Sequence, residues 1–66
     1  MVQVGDRIRL NRMGNDPDPV APGTEGTVNF VNNDRQYPQV GVIWDNGRSL
    51  MLIPGEDSFS VIPAGS

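Results

Sequence analysis

The side chains that most often carry chemistry are missing from this sequence: among its 66 residues there is no histidine, cysteine or lysine. Without His and Cys, neither a nucleophile–base triad nor a thiol nucleophile can be assembled. Without Lys there is no Schiff base and no phosphate-gripping lysine of the nucleotide-loop kind. What remains are eight carboxylates, five arginines, hydroxyls and Tyr37. Paired carboxylates can do acid–base work, but these lie beside Pro or Gly, where they cap turns or face solvent. One domain of this size also has little room for a substrate cavity of the usual ~300 Å³ or more. The expectation is that the chain is not an enzyme.

Three groups of residues could bind something. Asn15-Asp16-Pro17-Asp18, with Asp57, gathers the oxygen ligands that calcium prefers. Yet the EF-hand spacing is absent, no glycine sits at the turn position, and two prolines constrain the loop. A solvated turn is the expectation, with no metal and no cofactor. Arg7, Arg9 and Arg12, with Arg48, form a stripe that could meet phosphates. Acids lie close by at Asp6, Glu25 and Asp45, so a solvated, ion-paired strand face is the plainer account. Trp44 and Tyr37 invite comparison with peptide-gripping aromatic grooves, which need more aromatics than the four present here. Trp44 reads as core and Tyr37 as an exposed contact residue.

Size sets how these groups can be held. Chains of about this length bury only about 60 % of the surface their unfolded form exposes, so one small core must suffice. No disulfide can supplement it. The lack of cysteine fits a reducing cytoplasm, and no signal peptide or long apolar run is visible, so a cytoplasmic protein without a membrane partner is expected. The net charge of −3 runs against the basic footprint of a dedicated nucleic-acid binder.

Gly, Pro, Asn, Asp and Ser interrupt the chain too often for an amphipathic helix. Residues 2–12 alternate with period two, placing Val2, Val4, Ile8 and Leu10 on one side, with a Gly5-Asp6 bend near the start. Residues 13–23 are a proline-stiffened loop that Val20 pins to the core. A second strand spans 24–31, with Gly26, Val28 and Phe30 on one side, followed by a polar loop over 32–38. Strands over 39–44 and 48–53 flank Trp44-Asp45-Asn46-Gly47, the strongest short hairpin signal in the chain. A two-residue turn would pair Asp45 with Arg48; a three-residue loop closed by Gly47 would pair Trp44 with Arg48. The second register puts Val40, Val42, Trp44, Leu50 and Leu52 on one face, and the hydrophobic pattern favours it. It leaves Ile43, Met51 and Ile53 on the opposite face, where they form a modest exposed patch unless curvature covers part of it. Residues 53–57 then suggest a single 3₁₀ turn before a short fifth strand containing Phe59 and Val61.

Strand, long loop, strand, shorter loop, tight hairpin, 3₁₀ turn, strand is the order of an SH3-like barrel. The expected fold is therefore all-β: a small five-stranded SH3-like barrel over residues 1–62, with 63–66 as a flexible tail. An OB-fold is longer and usually carries a helix that has no counterpart here.

Five segments in order carry a family likeness: Val4-Gly5-Asp6-Arg7-Ile8-Arg9-Leu10, Asp16-Pro17-Asp18-Pro19, Pro22-Gly23-Thr24-Glu25-Gly26-Thr27-Val28, Trp44-Asp45-Asn46-Gly47, and Ile53-Pro54-Gly55-Glu56-Asp57-Ser58-Phe59. Together they resemble the domain of unknown function 4314 family, small stand-alone bacterial, phage and mobile-element proteins, over about residues 4–62. Residues 32–41 look longer than the matching link in that family. The resemblance implies no activity. A weaker likeness, Gly23-x-x-Gly26-x-Val28, is to KOW-type modules, and any tight turn entering a strand produces it.

The expected function is a non-enzymatic binding or adaptor module whose partner is a protein or a second copy. Asp16, Asp18, Tyr37, Ile43 and Met51 are the candidate contact residues. The alternatives are a nucleic-acid module using Arg7, Arg9, Arg12 and Arg48, or an accessory protein that oligomerises to build a pocket at its interfaces.

Overall fold

The computed structural model describes residues 2–14 and 16–63. Asn15 and the last three residues of the expected tail lie outside the described residues. Four strands form one antiparallel sheet: β1 Arg7–Arg12, β2 Glu25–Asn32, β3 Gln39–Trp44 and β4 Ser58–Ile62, in the order β3-β2-β1-β4. Among the described residues there is no helix, and hence none long and apolar enough to cross a membrane. The domain is all-β, with four strands rather than the five expected, and the sheet is not closed.

The missing strand is residues 48–53, and its hairpin register is nonetheless the three-residue-loop one. Trp44 N–H donates to Arg48 C=O at 2.8 Å, and Gly47 N–H returns to Trp44 C=O at 2.9 Å. Gly47, at φ 90°, occupies the left-handed position that closes such a loop, which a side chain would resist. Bridges join Ile43 to Ser49 and Val40 to Leu52. Between them the ladder is interrupted for a specific reason. Leu50 C=O accepts the Trp44 indole Nε1–H at 3.1 Å. Leu50 N–H reaches Val42 C=O at only 3.3 Å, and no bond returns from Val42. A ladder rung has been exchanged for a side-chain bond, so the segment follows β3 without forming a regular strand.

The core comprises Ile8, Leu10, Val20, Val28, Val40, Val42, Trp44 and Leu52, with Val2, Met13, Val31, Leu50 and Phe59 packed against it. Trp44 and Val20 are both about 1 % exposed, as the sequence suggests. Gly26 lies opposite Trp44 across the β2–β3 ladder. A Cβ there would stand 2.6 Å from Val42 Cγ1, 2.9 Å from Ile43 O and 3.0 Å from Trp44 Cε3. The indole fits because position 26 has no side chain.

Several expected core positions fall elsewhere. Phe30 is 43 % exposed because β2 carries a bulge: Val28 pairs with Val42 but Phe30 pairs with Gly41, leaving Asn29 as the extra residue. One added residue reverses the facing of everything beyond it, so Val31 packs inward and Phe30 outward. Val4 is 64 % exposed because a Gln3–Asp6 turn, closed by Asp6 N–H to Gln3 C=O, delays the start of β1 to Arg7. The 3₁₀ turn over 53–57 is instead a β-turn. Glu56 N–H donates to Ile53 C=O at 3.0 Å, and Pro54-Gly55 with Gly55 at φ 98° is the pairing a type II turn requires.

Gly26→Ala tests the seat directly. Overpacking of this kind costs about 1–3 kcal/mol, a large part of the stability of a chain this short. The urea midpoint should fall markedly, and an unchanged midpoint would contradict the packing.

Candidate functional site

The face of the sheet turned away from the core has two chemically different ends. At one end stand Arg7, Arg9, Glu25 and Asp45. Arg7 pairs with Thr27 along the β1–β2 ladder, and Asp45 N–H bonds to Glu25 C=O at 2.9 Å, which brings these side chains together. The Arg7 guanidinium grips Asp45 through two parallel bonds of 2.8 and 2.6 Å and reaches Thr27 Oγ1 at 3.1 Å. Glu25 lies 3.4 Å from Arg7 and 3.6 Å from Arg9. The hydrogen bonds from Arg7 hold the Asp45 carboxyl below its ordinary 3.8, with partial burial working against them and the guanidinium charge adding to them. The same pairing pushes Arg7 further above its already high value. These groups are 41 % and 54 % exposed, so solvent screens the pair, and it fixes positions more than it stabilises.

Arg48 is also engaged. Its guanidinium donates to the carbonyls of Asp18 at 2.7 Å and Pro19 at 3.3 Å, with the Asp18 carboxylate at 3.4 Å. Of the stripe Arg7, Arg9, Arg12 and Arg48, Arg12 alone has no ion pair among the described residues.

The acidic candidates serve the loop. Asp16 Oδ1 accepts Asp18 N–H at 2.8 Å, a local turn bond. Asp57 joins two segments, accepting Gly14 N–H at 2.6 Å and Ile53 N–H at 2.8 Å. Among the described residues no three acidic side chains gather where they could hold a metal ion.

The other end of the outer face is apolar. Phe30 pairs with Gly41, and the hairpin register sets Gly41 opposite Met51. Ile43 and Ile53 share this face on opposite sides of that pair, Ile43 in the row of Thr27 and Arg7 and Ile53 toward Gln39. A Gly41 Cβ would stand 2.7 Å from Asn29 Oδ1 and 2.9 and 3.6 Å from Phe30 Cβ and Cδ2, so the two side chains together cover the bare backbone. Phe30, Ile43, Met51 and Ile53 are 43, 51, 47 and 42 % exposed. Curvature therefore covers neither Met51 nor Ile53. Together these residues place four exposed apolar side chains on one sheet face, an arrangement that on monomers is often functional. Tyr37, 73 % exposed, projects from the 33–38 loop that enters β3. Ile43 and Met51 were legible from alternation. Phe30 was not, because only the bulge turns it outward; the signal to read was a glycine facing it in an otherwise β-branched run.

The ion-paired end generates a pH prediction. Because the folded value for Asp45 lies below the unfolded one, its contribution is complete above the unfolded value and is lost as pH falls through the folded value. A carboxyl-carbon NMR titration should place Asp45 below 3.8 and return it to the ordinary range in Arg7→Gln. An unshifted Asp45 in the native chain would contradict the geometry.

No similar curated protein and no similar solved structure is found for this sequence. The sequence matches one family over residues 2–62. The chain, four strands carrying an outer face split between ion pairs and apolar side chains, belongs to the family described as Domain of unknown function (DUF4314).

Proposed function

We propose that this chain is a non-catalytic SH3-like binding module whose partner is a protein docking on the apolar end of the outer face. The observation that carries the reading is the contiguity of Phe30, Ile43, Met51 and Ile53 around Gly41. A lone exposed apolar residue needs no explanation, but four neighbours on one sheet face do. Tyr37 extends the contact surface from the adjoining loop, and the Asp16–Asp18 segment frames the hairpin side through Arg48.

Support for an SH3-like arrangement comes from order and register. Residues 48–53 lie beside β3, giving the succession 48–53, β3, β2, β1, β4, with a type II turn joining the first segment to the last. The non-catalytic reading rests on the missing His, Cys and Lys. For nucleic acid the outlook is poorer, because Arg7, Arg9 and Arg48 would have to surrender acidic partners before meeting phosphate.

Ile43→Asp places a charge in the patch at an exposed position, so stability should move by no more than about 0.5 kcal/mol. A protein captured from the native host by the wild-type chain should bind this variant at least roughly tenfold more weakly, a loss of about 1.4 kcal/mol or more. Arg12→Gln should bind as wild type does. Equal capture by Ile43→Asp would overturn the reading. So would salt-sensitive binding of a labelled duplex that Arg12→Gln abolishes.

A further inference from the structure

The edge formed by residues 48–53 carries main-chain groups that have no partner among the described residues. Leu52 exchanges bonds of 2.7 and 2.9 Å with Val40, and Leu50 donates to Val42, so both residues turn their polar groups toward β3. Alternation along an antiparallel pair then turns the N–H and C=O of Ser49 and Met51 the other way. Both residues are exposed, and neither has a hydrogen-bond partner among the described residues.

Their neighbours are already committed. Arg48 N–H donates to Asn46 Oδ1 at 3.0 Å, and Arg48 C=O accepts from Trp44. Ile53 N–H donates to Asp57 Oδ2, and Ile53 C=O accepts from Glu56 and Asp57. The free edge is thus four groups on two residues. The loop after β1, tied to Asp57 through Gly14 and to Arg48 through Asp18 and Pro19, does not fill it. Its Pro17 and Pro19 have no N–H to give. Residues 49–53 also lack the charges, prolines and bulges that normally guard an exposed edge.

We propose that this edge pairs with the same edge of a second copy of the chain across a two-fold axis. An antiparallel approach centred on Leu50 sets Ser49 of each copy against Met51 of the other. That register forms four N–H···O=C bonds and uses every free group on both edges. Setting Met51 against Met51 instead would place Ser49 opposite Ile53, whose groups are spent. The pattern is its own complement about a two-fold axis, so a second copy meets every free group with none left over. Each copy carries a net charge of −3, but no acid lies on 49–53, so the join itself brings no like charges together. The inference concerns the edge of the sheet and is independent of the partner proposed for its outer face.

The test uses Ser49→Pro, at a position outside the apolar patch. Proline there deletes an outward donor that no bond within the chain uses, which edge positions tolerate. In sedimentation, the wild-type chain should shift from one chain mass to two as concentration rises, and Ser49→Pro should stay at one. Hydrogen exchange at the Ser49 and Met51 amides of the wild-type chain should slow roughly tenfold or more over the same range. If Ser49→Pro fails to fold, that exchange comparison decides alone. A single chain mass up to millimolar concentration would overturn the proposal. So would a dimer whose Ser49 and Met51 amides exchange freely, or an assembly that grows beyond two copies.

Discussion

The seating of Trp44 against Gly26 is the contact on which the rest of the architecture depends. Trp44 is the largest side chain of the core, and the bare backbone of β2 opposite it provides the space. Once the ring is there, its Nε1–H needs an acceptor, since a buried indole donor left unpaired is costly. The acceptor is Leu50 C=O. That bond joins the backbone bonds of Arg48 and Leu52 in holding the far arm of the hairpin against β3, and it removes one rung from the ladder. The same interaction therefore accounts for why residues 48–53 do not form a regular strand although the bonds on either side keep their register.

The outer face follows from a second irregularity. The extra residue at Asn29 turns Phe30 out of the core, and Gly41 offers the flat backbone on which its ring lies. Without the bulge, Phe30 would have faced inward and Val31 outward, and the face would have lost its one aromatic residue. The opposite end of the face is held by Arg7 between Asp45 and Glu25. These ion pairs are exposed and contribute little to stability. Their effect is to commit Arg7 and Arg9 to partners within the fold, which leaves the apolar end as the chemically unfinished part of the face.

Much of this was legible in the sequence, and the illegible parts arise where tertiary contacts or a bulge override a clean local pattern. Asn46-Gly47 announced the hairpin, and the hydrophobic pattern chose between its two registers, because a slip would have exposed Trp44. Val20, isolated in a proline-rich loop, had one use, as an anchor. Phe30 misled because Val28-Asn29-Phe30 alternates as cleanly as any strand, and a bulge leaves no composition of its own. The expected strand over 48–53 misled for a related reason, while the expected last strand formed as β4. Residues 48–53 have good strand composition, but an indole on a neighbouring segment took one of their carbonyls, and no local pattern reveals that. The turn at 53–56 was expected as 3₁₀, although Pro54-Gly55 is the type II signature and Gly55 has the positive φ it requires. Among the candidate contacts, alternation alone placed Ile43 and Met51 on the outer face. Glu25 and Asp45 were legible from the sequence among the acids able to pair with the β1 arginines, and the fold brings both to Arg7 across three strands.

Hydrogen exchange of the Trp44 indole Nε1–H, followed beside the backbone amides, tests the central contact most directly. With the ring seated on Gly26 and bonded to Leu50, the indole proton should exchange only through global unfolding, as slowly as the best-protected amides of β2 and β3. An indole proton exchanging at the rate of free tryptophan, while those amides remain protected, would contradict the account.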